Sequence, residues 1–204
     1  MTASRREARA GPPSPAASAA ADGSLADLDE AALIEACQAG RTGAFDVVVE
    51  RHRRAIYLLC YRFVSNHEDA SDLSQDVFLR AYRGLRNFRG QSSLGTWLHR
   101  IGVNVCLTRV STKTPPSESI DEQQHIDTRS ESPSELVLKA ERALRVRTAI
   151  AQLPRKQRAT LILRTYHEMS HQEIADILGS SVGAVKANFF HALGSLKKLL
   201  GDEK

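Results

Sequence analysis

Cysteine is scarce in this 204-residue chain: Cys37, Cys60 and Cys106 are odd in number, far apart and set among apolar residues. That excludes a disulfide framework or a zinc knuckle and leaves reduced, buried thiols, as a cytoplasmic protein would carry. No apolar run approaches the roughly 18 residues needed to cross a bilayer, so the chain is expected to be soluble, at most recruited to a membrane. No alternating run is long enough for a sheet, and there is no internal repeat. Arg5, Arg6 and the alanines from Ala16 to Ala21 have the outline of an export signal, but no bulky aliphatic or aromatic side chain between Met1 and Leu25 supplies its apolar centre. Residues 1–24 therefore read as a disordered tail.

What is present divides the chain. Its length admits one medium domain or two small ones, and the second fits better because Gly and Pro cluster in particular stretches. The net charge of +4 is uneven: residues 135–204 carry +5, residues 111–134 carry −3, and 1–24 and 25–110 carry +1 each. A basic end suits phosphate binding, although a basic helical face is also simply solvated.

Residues 29–110 read as successive helices. Asp29 caps a helix over 30–39 that Gly40 ends. Thr42 caps a longer one in which Phe45, Val48, Val49, Ile56, Leu59, Cys60 and Phe63 recur at helical spacing, broken at Ser65 and Asn66. A third, over 69–85, puts Ala70, Leu73, Val77 and Ala81 on one stripe. After a loop with Gly90, Ser92, Ser93 and Gly95, a fourth buries Trp97, Leu98, Ile101 and Val105. Residues 111–134 are rich in Ser, Thr, Pro, Asp, Glu and Gln, too polar to offset the cost of ordering, and read as a flexible linker. Helices over 135–153 and 155–165, parted by Pro154, follow.

The most specific local signal lies beyond them. Ser170 and Glu173 form a capping box, Ile174, Ala175 and Leu178 an apolar face, and Gly179 a tight turn; Ser181 then caps a second helix. That pattern is a helix-turn-helix. The second helix buries Val182, Val185, Phe189, Leu193 and Leu196 and leaves Gly183, Ala184, Ala187, Asn188 and His191 on or near the opposite face. If its N-terminal half enters a major groove, small residues allow close approach, Ala184 and Ala187 touch thymine methyls, Asn188 pairs with an adenine edge and Lys186 binds phosphate. Phe190, on the flank, either packs on DNA or completes the core.

The first half carries a resemblance that a helix-turn-helix alone would not. The stretch Glu68 to Tyr82 (EDASDLSQDVFLRAY) resembles the region 2.2 signature of extracytoplasmic-function sigma factors. Thr96 to Asn104 (TWLHRIGVN) resembles their regions 2.3 and 2.4. Leu153 to Arg158 and the Glu173-to-Lys186 segment resemble region 4, in the family's order and with a linker between.

The resemblance implies an all-α protein of two small helical domains joined by a flexible linker, 25–110 for core-polymerase binding and the minus-ten element, 135–204 for the minus-thirty-five element. Asp69, Asp72 and Asp76 give the third helix an acidic stripe, which on composition alone is a solvated face. By similarity to the family that helix docks on the clamp helices of the polymerase's largest subunit, and Asp72, Gln75, Asp76, Phe78 and Leu79 are the candidate contacts. The loop Asn87 to Gly95 is implied to capture a base flipped from melted minus-ten DNA, with Arg86 and Arg89 at its entrance and Phe88 as a stacking surface. Trp97 reads as a core anchor of the loop's exit; Arg100 and Asn104 either reach the duplex edge upstream or are simply helix-surface residues. Minus-thirty-five candidates are Ser181, Gly183, Ala184, Lys186, Ala187, Asn188, Phe190 and His191. The resemblance further implies a contact with the polymerase flap region, an anti-sigma partner, no cofactor and no catalytic or metal site.

There are departures. The family's recognition helix commonly carries Ser-Arg-hydrophobic-His-Arg, against Ala187-Asn-Phe-Phe-His191 here, so promoter sequence does not transfer. Leu94-Gly95 replaces a more usual aromatic-containing approach to Thr96, which bears on minus-ten preference.

Two rivals come from other classes. His167-Glu-Met-Ser-His171 matches the zinc-protease pattern, but Ser170 and Glu173 mark a helix start inside it and no third ligand follows. A conventional helix-turn-helix regulator would account for 135–200 and leave Asp69 to Tyr82 and Thr96 to Asn104 unused.

Overall fold

A computed structural model describes residues 24–112 and 133–201. A 3-10 turn (Leu25–Asp27) leads into α1 (Glu30–Gln38), α2 (Ala44–Val64) and α3 (His67–Gly84). A second 3-10 turn (Leu85–Asn87) precedes α4 (Leu94–Thr112), and α5 (Pro133–Ala151), α6 (Arg155–Tyr166), α7 (His171–Leu178) and α8 (Val182–Leu200) complete the chain. No strand occurs among the described residues. The expected linker is helical at both its edges, where α4 runs on to Thr112 and α5 starts at Pro133; the rest of it, and the expected tail apart from Ser24, lie outside the described residues.

Local chemistry explains the helix ends. The Asp29 carboxylate accepts from the Ala32 amide at 2.8 Å, and Gly40 follows α1 at φ +74°. Thr42 does not cap α2 as expected: the position belongs to Gly43, whose φ of +81° only glycine adopts without strain, and no side-chain cap forms there. Between α2 and α3 the chain reverses in two residues. Ser65 takes φ +53° and its amide bonds the Tyr61 carbonyl, while Asn66 accepts from the Asp69 amide at 2.9 Å and so starts α3 at His67, earlier than periodicity suggested.

α2, α3 and α4 form one core around Ile56, Leu59, Phe63, Val77, Leu98 and Val103, all essentially inaccessible to water. Each such side chain stabilises the fold by roughly 2 kcal/mol relative to exposure. Gly102 lets α4 close on α2: a Cβ there would lie 2.7 Å from Leu59 Cδ2. The three cysteines are free, and the Cys60 thiol, hydrogen-bonded to Cys106 in this core, together with burial holds the Cys106 thiol protonated.

The second core joins Leu161, Ile162 and Leu163 of α6, Ile174 and Ile177 of α7, and Val185 and Ala192 of α8. Leu193 was expected inside but is 47% exposed, because Ala192, seven residues on from Val185, takes the inward position. Contacts link the two cores. Arg158, only 6% exposed, donates to the Phe63 carbonyl and lies over the Phe63 ring, and Arg62 stacks on Tyr166 with 4.0 Å from Cζ to ring centroid. Burial lowers the Arg158 pKa, yet a guanidinium keeps its charge, so the carbonyl contact compensates a desolvated cation.

Candidate nucleic-acid interface

α7 and α8 meet at Gly179, which sits at φ +57° and passes its amide to the Ala175 carbonyl. Both halves of the capping box form: the Glu173 amide bonds Ser170 Oγ at 3.2 Å and the Ser170 amide bonds Glu173 Oε2 at 2.8 Å. The Ser170 hydroxyl and amide hold the Glu173 carboxyl below its ordinary pKa. Ser181 caps α8 by accepting from the Ala184 amide at 3.2 Å. The Ser181 hydroxyl is therefore already engaged at the helix start. Gly183, Ala184, Lys186, Ala187 and His191 are exposed and Asn188 is half-buried, so these candidates share one outward surface. Phe190 is 74% exposed and edges the His191 ring, which removes it from the core.

In the first core, the loop candidates separate by exposure. Arg86 and Arg89 are exposed, whereas the Phe88 ring is half-buried 5.0 Å from the Trp97 ring, with Trp97 also capping Gly84. Phe88 and Trp97 thus form one anchor beneath the loop, and the exposed stacking surface expected of Phe88 is in part covered. Asn104 is exposed on α4. Arg100 is exposed too, but its guanidinium donates to the Asp176 carbonyl of α7.

Beside it, the buried His99 bonds the Gly95 carbonyl through Nδ1 at 2.8 Å and faces His167 Nδ1 through Nε2 at 3.3 Å. Burial lowers both imidazoles, His167 to about 4, with His99 and Arg62 adding to the effect. His167 ends α6, Glu168 takes φ +53° and Ser170 starts α7, so the zinc-protease pattern spans a helix break and its two imidazoles share no helical face. No cluster of three or more metal-ligating side chains occurs among the described residues.

On α3 the acidic stripe splits. Asp69 accepts from Arg109 at 2.6 Å and so ties α3 to α4. Asp76 pairs with Arg80 at 2.9 Å, and Asp72 and Gln75 are exposed. Phe78 is half-buried, Leu79 is 56% exposed and Tyr82 is 64% exposed with its ring edge-on to Phe45 at 5.1 Å. Asp72, Gln75, Leu79 and Tyr82 fall at i, i+3, i+7 and i+10, a single helical face mixing acid, amide and large apolar groups. Tyr82 belongs to that face although the motif reading did not select it. The signal was its place in the same period.

Comparison with known proteins follows the same division. Residues 48–114 match the family described as Sigma-70 region 2, and residues 143–196 match Sigma-70, region 4. The chain is 34% identical over 177 residues to the RNA polymerase sigma-H factor of Pseudomonas aeruginosa, covering 82% of this chain and 92% of that protein. It is 30% identical to the ECF RNA polymerase sigma factor SigW of Bacillus subtilis, covering 83% and 95%. Among solved structures it resembles CnrH in complex with the cytosolic domain of CnrY, with a TM-score of 0.65 and 24% identity over 86% of this chain and 99% of that one. It also resembles the sigma factor RpoE of Bartonella quintana in complex with the anti-sigma factor NepR, with a TM-score of 0.59 and 21% identity over 80% and 100%.

Proposed function

This chain belongs to the extracytoplasmic-function group of RNA polymerase sigma factors and directs promoter-specific initiation by core polymerase; on that premise we propose how its residues divide the work. The observation that carries the proposal is that one chain holds region 2 and region 4 in order, each ending in a distinct exposed surface. Residues 25–110 form the domain that binds core polymerase and melted minus-ten DNA. Residues 135–204 form the domain that reads the minus-thirty-five element and meets the flap region.

The α3 face of Asp72, Gln75, Asp76, Phe78 and Leu79, extended by Tyr82, docks on the clamp helices. Its exposed Leu79 and Tyr82 supply apolar area, and Asp72 supplies the sign that selects a basic partner surface. Arg86, Phe88, Arg89, Arg100 and Asn104 serve the minus-ten element, and Ser181, Gly183, Ala184, Lys186, Ala187, Asn188, Phe190 and His191 the minus-thirty-five element. Phe190, exposed beside the groove-facing residues, packs on DNA and not on the domain. No bond is made or broken by this chain, which acts in the cytoplasm as a binding subunit. Each domain alone binds DNA weakly, and tethering both to one polymerase supplies effective concentration. The structural relative RpoE is in complex with an anti-sigma factor, and the same kind of partner is assigned to this chain, covering the surfaces that polymerase needs.

Equilibrium binding to purified core polymerase tests the division. Leu79→Asp is expected to weaken binding on the order of tenfold or more without changing the melting temperature, as for a central apolar contact. Wild-type affinity in that variant would remove α3 from the interface.

A further inference from the structure

α1 takes no part in any motif, yet it holds both ends of the loop assigned to minus-ten capture. At the helix C-terminus, Gln38 Nε2 donates to the Phe88 carbonyl at 2.8 Å and to the Leu85 carbonyl at 3.1 Å. At its N-terminus, Glu30 Oε1 accepts from the Leu94 amide, the first residue of α4, at 2.9 Å. Eight residues of helix separate the two side chains, about 12 Å at 1.5 Å per residue. α1 is thus a strut laid along the loop, fastened where the chain leaves α3 and where it enters α4. Between the fastenings Arg89, Gly90, Gln91 and Ser93 are exposed, with Gly90 at φ +67°.

We propose that Gln38 and Glu30 are positioning residues that pre-order the 88–94 loop for capture of an unpaired base. The proposal rests on the assignment of that loop to melted minus-ten DNA. An aperture for one base must exist before the base arrives, because a loop ordered only on binding spends interaction energy on its own entropy. The two side chains act with opposite polarity. Gln38 faces two carbonyls and can serve only as a donor; Glu30 faces an amide and serves only as an acceptor. Both are exposed on α1, so neither substitution opens a cavity.

That opposition makes the test specific. Gln38→Glu is nearly isosteric but turns a donor into an acceptor against two carbonyls, whereas Gln38→Lys keeps a donor. Glu30→Gln keeps the acceptor, and Glu30→Ala removes it. Each full-length variant is assembled with core polymerase, and three affinities are measured: for core enzyme, for a blunt minus-thirty-five duplex, and for a fork-junction DNA whose single-stranded tail carries the minus-ten non-template sequence of a promoter mapped with the wild-type holoenzyme. Gln38→Glu and Glu30→Ala are expected to lose roughly tenfold on the fork junction, the scale of one hydrogen bond, with core and duplex affinities unchanged and the melting temperature lowered by no more than about a few degrees. Gln38→Lys and Glu30→Gln stay within about threefold of wild type. Equal fork-junction affinity in all five proteins overturns the strut alone. A wild-type holoenzyme that holds the tailed DNA no better than the blunt duplex overturns the loop assignment, and the strut with it. Parallel losses in core affinity and melting temperature show a purely structural role and also overturn it.

Discussion

At Gly102 a single methyl group decides whether α4 can lie against α2. Its Cβ would fall 2.7 Å from a methyl of Leu59, a side chain with no exposed surface and no free volume to retreat into. Gly102→Ala should therefore destabilise the first domain by about 1–3 kcal/mol, the range for an added methylene in a packed core, despite alanine's better helix propensity. Urea unfolding of the purified chain measures it; unchanged or raised stability would show that the Leu59 side chain moves aside at no cost. Phe190 is the opposite case. Because its ring is exposed, Phe190→Ala should leave the free energy of urea unfolding within about 0.5 kcal/mol of wild type while lowering the holoenzyme's affinity for minus-thirty-five duplex, read by fluorescence anisotropy.

The turn between α7 and α8 shows which elements announce themselves. Ser170 and Glu173 satisfy each other's amides, and Ser170→Ala should cost about 1 kcal/mol by thermal or urea unfolding, with Ser170→Asp recovering most of it. Such a motif is legible because all its partners lie within four residues. The same locality made the helices of both domains readable from period and caps, and Asp29, Gly40, Gly179 and Ser181 stand where local chemistry put them. Reading failed where two local solutions compete. Thr42 is an acceptable cap in isolation, but the chain enters α2 through Gly43 at φ +81°, a turn that glycine takes without strain. Leu193 is a better core residue than Ala192 by composition, yet the spacing of close helices admits only the smaller one inside. Least legible were contacts with no local signature at all: Gln38 finds its partners 47 and 50 residues away and Glu30 finds its partner 64 away. Of the candidate site, the α8 surface was visible because period assigns faces, and the α3 face was visible except for Tyr82, which lies six residues past the last acid of the stripe, Asp76.

On the scale of the whole chain, the two domains close on each other through Arg100 and Asp176, Arg62 and Tyr166, Arg158 and Phe63, and the His99–His167 pair. On the proposed assignment the two domains serve promoter elements centred about 25 base pairs apart, roughly 85 Å along B-form DNA, so the contact between α4 and α7 would open on polymerase and free the Arg100 guanidinium from the Asp176 carbonyl. Protonation favours the open form. Arg62 from α2 acts on His167, and His52 of α2, itself beside Glu30, lies near His99, so a new positive charge on His167 meets the Arg62 cation. The sign follows from the depressed pKa values: docking is fully stable above the ordinary histidine value of 6.5 and weakens as pH falls towards about 4. Energy transfer between dyes on the two domains should decrease over that window in wild type and respond less to pH in His167→Gln. The most direct test of the account is transcription reconstituted from core polymerase, this protein and genomic DNA, with every start site mapped. The account predicts starts at a restricted set of promoters that vanish when the chain is omitted; initiation no different from core enzyme alone would contradict it.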